Sequence, residues 1–215
     1  VYGRTLISGY VSVLGAPGGV GKTALMTAAA IAIASGKPLL GQHVHKPGVV
    51  LLAGLEDDLQ EQQRRVWAAM RAHGVTQADI GDRLRLLSGR EYALILASRS
   101  RDGLTVQGVV NNLIERAKES GAVAIIADPF VATHDLDENS NSEIEFVVRQ
   151  WRRIASEGRC AVWLAHHFRK GGQGGDADAF RGASALISAG RSADTLETMT
   201  EEEADKIGIP PHQRR

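Results

Sequence analysis

The chain has 215 residues, of which 43% are hydrophobic and 23% charged, a balance that suits one globular domain and excludes collagen-like, disulfide-scaffold and wholly disordered chains. Lys and Arg together number 25, as do Asp and Glu, so the whole molecule is no electrostatic magnet for polyanions, and any polyanion site has to be local. The lone cysteine, Cys160, sits in an apolar run and reads as a packed thiol of a reducing compartment. No apolar stretch is long enough to span a bilayer and the N-terminus lacks a signal-peptide layout, so a soluble, cytoplasmic protein is expected.

Along the chain, apolar runs alternate with helical patterns. Tyr10–Leu14, Val49–Leu55, Leu84–Leu87, Val123–Ala127 and Ala161–Ala165 are nearly continuous apolar segments, the signature of strands buried on both faces of a parallel sheet. Between them the spacing predicts helices over Lys22–Ser35, Leu59–His73, Val109–Ser120 and Ser142–Ser156. In the last, Ile144, Val147, Trp151, Ile154 and Ala155 recur at helical intervals behind a Ser140-Asn141-Ser142-Glu143 capping box. The order implies an α/β fold, a mostly parallel twisted sheet with helices on both faces. Ligands of such sheets bind at the carboxyl ends of the strands. Lys170–Asp178 is Gly-rich and reads as a flexible loop, and Glu201-Glu202-Glu203 as a solvated helical turn.

After the first strand comes Gly15-Ala16-Pro17-Gly18-Gly19-Val20-Gly21-Lys22-Thr23. Glycines let backbone N–H groups converge on phosphate, the helix start adds its positive end, Lys22 reaches the β- and γ-phosphates, and the Thr23 hydroxyl ligates Mg²⁺. This is the relaxed form of the phosphate-loop pattern, with Ala16 where the first glycine stands; Ala16 through Ala24 form the candidate ATP-binding segment. Asp128 ends the most apolar run, Val123–Ala127, and is the candidate second carboxylate for Mg²⁺. Hydrolysis also needs a group to orient or deprotonate water. Glu56, at the tip of a strand expected beside the phosphate-loop strand, is the choice; Asp57 and Asp58 read as caps of the next helix. His166 and His167 end another strand and point to opposite sides, so they do not chelate one metal together, but one of them faces the phosphate crevice.

Taken together, GAPGGVGKT, GLEDD, IIADPF, Asp137-Glu138-Asn139, HHFRKGG and Phe180–Leu186 resemble the RepA-type hexameric plasmid replicative helicases, a group of RecA-like ATPases, from about Tyr10 to the last residue. The resemblance implies Glu56 as the catalytic carboxylate, Lys22, Thr23 and Asp128 at phosphates and magnesium, and His167 as γ-phosphate sensor. It implies Arg191 as an arginine finger for a neighbour's ATP and Arg181 as a second interface or phosphate contact. It also implies a homo-oligomeric ring of six subunits, with Thr133–Asn141 and Arg169–Phe180 as channel loops for single-stranded DNA. Residues 1–215 would be one RecA-like ATPase domain, the core of a longer replication protein. The balanced charge and the acids in both loops set a limit on standalone DNA affinity. Two other classes stay open: a recombinase or signalling ATPase that does not unwind, and a nucleotide-gated binding module with vestigial hydrolysis.

Overall fold

The computed structural model describes residues 1–167 and 184–210. Its centre is a six-stranded sheet built from β1 (Val11–Ala16), β2 (Val49–Gly54), β3 (Leu84–Ser88), β6 (Ala122–Asp128), β8 (Ala161–His167) and β9 (Ser192–Thr195). The spatial order is β3-β2-β6-β8-β1-β9 and every pairing is parallel. All seven residues of β6 are buried. Such a strand is stable only where helices cover both faces, and they do.

On one face lie α1 (Lys22–Ser35), α2 (Leu59–Ala72) and α3 (Gln77–Ile80); on the other α4 (Val109–Ser120), α5 (Asn141–Gly158) and α6 (Ser184–Ala189). Helix α1 is buried without a break from Met26 to Ala34. Its run of small residues lets it sit close to the sheet, with α2 and α3 packed over its back. Helix α5 is amphipathic instead. Ile144, Val147, Val148, Trp151 and Ile154 enter the opposite core, where the Trp151 Nε1–H donates to Thr133 Oγ1 at 3.3 Å. Its start departs from the expected capping box. Ser140 is the N-cap residue but makes no side-chain cap bond, and Glu143 is buried, accepting from the Asp137 N–H and pairing with Arg99. An ion pair across the loop has taken the carboxylate that the box would have used.

The predicted strands and helices are all present, with ends moved by a few residues. A second sheet was not foreseen. Strands β4 (Ala97–Ser100) and β5 (Gly103–Val106) form an antiparallel hairpin, and β4 pairs in parallel with the two-residue β7 (His134–Asp135). Ser98, Arg99, Ser100 and Thr105 give these strands no apolar run to detect. The acidic turn near the C-terminus is α7 (Glu201–Lys206), capped by Thr200 and Glu203 in a full capping box. Among the described residues no helix is long and apolar enough to cross a membrane.

Candidate functional site

Parallel strands place all their carboxyl ends on one edge, and the predicted residues gather there. Leaving β1, the chain turns through Pro17 to Gly21. Gly19 and Gly21 have φ of 83° and 95°, the left-handed region that glycine occupies without strain. Gly18, Gly19 and Gly21 face open space, and none of the N–H groups of Gly18, Gly19, Val20 and Gly21 donates to a backbone carbonyl among the described residues. A loop of unclaimed donors at the start of a helix whose first turn holds no acid is suited to an anion. Ala16 is buried, whereas Ala24 is exposed beside the loop.

Lys22, the first residue of α1, is buried, and burial lowers its pKa while the carboxylates of Asp128 and Glu56 oppose the shift. Its Nζ lies 3.0 Å from His167 Nδ1. An ammonium can only donate, so in that contact His167 Nδ1 is the acceptor. Thr23 Oγ1 donates to Asp128 Oδ2 at 2.6 Å. The two proposed magnesium ligands therefore already touch, an oxygen pair of the hard kind that Mg²⁺ accepts. Asp128 is buried at the end of β6. A hard cation fits this donor set, and a phosphate chain fits the loop beside it.

Of the two histidines, the second meets the lysine. His166 points the other way, toward Phe130, with ring centroids 6.4 Å apart. Burial first, then His167, Lys22 and His134, bring its pKa down to about 4, so it is neutral near pH 7. His134 follows the same pattern: burial lowers its pKa, its Nδ1 accepts from the Leu136 N–H, and its ring sits 5.1 Å from Phe130. Phe130 thus separates two neutral histidines between the phosphate edge and the loop 133–141.

Glu56 is near the site, but its strand is not where the sequence placed it. β2 lies between β3 and β6, so β6 and β8 intervene between it and the phosphate-loop strand. Apolar runs reveal strands and not their order. The turn reaches Asp128 directly through a backbone bond, Leu55 N–H to Asp128 O at 2.8 Å. Glu56 is exposed. Asp58 caps α2 by accepting from the Glu61 N–H, while Asp57 pairs with Arg65 at 2.9 Å.

Arg191 is not brought to the site within one chain. It precedes β9, and its N–H donates to Val11 O at the opening end of β1, away from the phosphate loop. The exposed guanidinium lies 5.7 Å from the Tyr10 ring centroid. Asp194, the carboxylate that an intrachain salt bridge would use, accepts from Thr5 Oγ1 instead. Arg181, Arg169 and Lys170 lie outside the described residues.

A protein-family model described as an AAA domain matches residues 1–173, a span that opens before the phosphate loop and closes beyond His167. The chain belongs to the AAA domain family and is a nucleotide-binding ATPase of the P-loop class.

Proposed function

We propose that this chain is the ATPase motor of a RepA-type, ring-forming DNA helicase, with nucleotide bound at subunit boundaries and channel loops driven along single-stranded DNA. The observation that carries the ATPase chemistry is the convergence of Lys22, Thr23, Asp128 and His167 at the ends of three neighbouring strands, with the Glu56 turn bonded to Asp128. The helicase reading rests on the order of the sequence motifs.

In this reading Thr23 and Asp128 hold Mg²⁺, which when bound offsets phosphate charge. Lys22 carries its charge to the β- and γ-phosphates. Glu56 orients and deprotonates the attacking water, and little further covalent chemistry is asked of the protein. His167, already against Lys22, reads the γ-phosphate. Arg191 points away from its own phosphate loop, so a nucleotide it touches belongs to a neighbour. Its planar, permanently charged fork suits that task.

The loop 133–141 carries Asp135, Asp137 and Glu138, which repel a phosphate backbone. DNA contact then falls to Arg169 and Lys170. Replacing both with Ala is expected to weaken single-strand binding for all sequences and to flatten its salt dependence by about one to two units of log–log slope.

The deciding experiment combines strand displacement with ATP turnover measured with and without single-stranded DNA. Stimulated turnover with displacement supports the helicase. The acidic loop and zero formal net charge favour one alternative, an ATPase whose nucleotide state controls assembly. Stimulated turnover without displacement, or turnover indifferent to DNA, would select it.

A further inference from the structure

The turn that presents Glu56 is held from behind by residues to which no role has been given. Its backbone is bonded almost group by group. Gly54 O accepts from Gln62 Nε2 at 2.7 Å and from the Gly89 N–H at 3.2 Å. Glu56 O accepts from Arg90 Nε at 3.1 Å. Asp57 O accepts from Ser88 Oγ at 2.9 Å and lies 3.3 Å from Gln62 Nε2. The remaining carbonyl, that of Leu55, packs on Gly89, where an added Cβ would also stand 2.6 Å from Leu55 Cα.

Two glycines make this closeness possible. Without a side chain, Gly89 lies flat against Leu55, and Gly54 leaves room for the Gln62 amide, whose Cδ would be 2.7 Å from a Cβ there. Gln62 is buried, with its amino group given wholly to backbone carbonyls and its Oε1 without a hydrogen-bond partner among the described residues. An acceptor buried in that way goes without the hydrogen bonds that water would give it. A leucine of similar size would avoid that loss and would leave the turn unheld.

We propose that Ser88, Gly89 and Arg90, together with Gln62, form a clamp whose work is to position the Glu56 carboxylate. They are positioning residues: none touches the phosphate loop. The inference rests on the reading of Glu56 as the water-activating group and adds what keeps it in place. A carboxylate that must meet a water beside the γ-phosphate tolerates little displacement, and a shift of about 1 Å can cost 10²-fold in rate.

Gly89→Ala tests the clamp, read in two backgrounds. In the parent protein the added methyl pushes the turn off Gly89. The expected result is a fall in kcat of about 10²-fold, with the nucleotide dissociation constant unchanged within about twofold because Lys22 and Thr23 stand at the start of α1, away from the clamp. In Glu56→Gln, the residual turnover is expected not to fall further on adding Gly89→Ala, since the group being positioned is gone. Arg90→Ala removes an exposed side chain without disturbing the core. It should lower kcat less, in the same pattern, and Arg90→Lys should restore part of it by supplying a donor to Glu56 O. Equal proportional losses in both backgrounds, or parental kcat in both Gly89→Ala and Arg90→Ala, would overturn the clamp. A Glu56→Gln protein turning over at the parental rate would instead overturn the reading of Glu56 itself.

Discussion

The phosphate loop, residues 16–21, and the Glu56 turn, residues 54–57, stand on the same edge of one sheet and are held by opposite means. The loop takes its shape from glycine dihedrals; among the described residues, the N–H groups of Gly18 to Gly21 meet no backbone carbonyl and nothing stands where a side chain at Gly18, Gly19 or Gly21 would lie. The turn contains an ordinary carboxylate on a backbone whose carbonyls are almost all claimed by neighbours. The difference follows from what each must do. A phosphate supplies the missing hydrogen bonds of the loop when it arrives, so prior partners would compete with it. A water molecule held by one carboxylate supplies nothing comparable, so the turn needs its support built in.

The largest effect that separates the two regions is kinetic. Lys22→Ala is expected to lose both nucleotide affinity and turnover, whereas Glu56→Gln keeps affinity and loses roughly 10²- to 10⁴-fold in kcat. Equilibrium binding of a fluorescent ATP analogue beside steady-state turnover reads the split. If both variants lost affinity alike, the comparison would collapse.

Smaller in energy is the response to acid at the edge between them. His166 has its native pKa at about 4 against 6.5 for an unperturbed histidine, burial being the main cause. The unfolded chain therefore takes up a proton that the native chain refuses. The resulting stability is complete above pH 6.5 and is lost as pH falls toward 4, by about 3 kcal/mol. His134 adds to the loss in the same direction. Urea midpoints across that range should show the slope, and His166→Asn should flatten it. A slope unchanged by the substitution would place the titrating group elsewhere.

The smallest effect belongs to the loop. Gly21→Ala meets open space yet must hold φ near 95°, which costs about 1–2 kcal/mol and lowers Tm by roughly 2–8 °C. A Tm equal to the parent's would mean the loop relaxes without help from glycine.

How much of this was legible in the sequence differs between the regions for the same reason. Gly18, Gly19, Gly21, Lys22 and Thr23 fall within six consecutive residues, and their chemistry needs that closeness, so the loop can be read directly. Asp128 was found by the apolar run before it. The Glu56 turn was located, but its support comes from Gln62 and from Ser88 to Arg90, residues distant in sequence whose types carry no pattern. A hydrogen bond to a backbone carbonyl constrains geometry and leaves no spacing to detect. Strand order was hidden likewise: β8, at residues 161–167, enters between β6 and β1, and no local signal in either strand records it. The short strands β4, β5 and β7 escaped because Ser, Arg and Thr at an exposed edge resemble a loop.

That insertion of β8 also sets a schedule for the growing chain. β1 is made before the other strands of this sheet, yet its partners in the sheet are β8 and β9. Roughly 145 residues separate Ala16 from Ala161, which a ribosome takes on the order of 10 s to add. Until then neither partner strand of β1 has been made, and α1 has only part of the surface it will cover. Long-range pairing of this kind closes slowly. Lys22 meets His167 only after the sheet is joined across its middle, so a chain grown as far as β6 already contains the whole phosphate loop and still lacks the site.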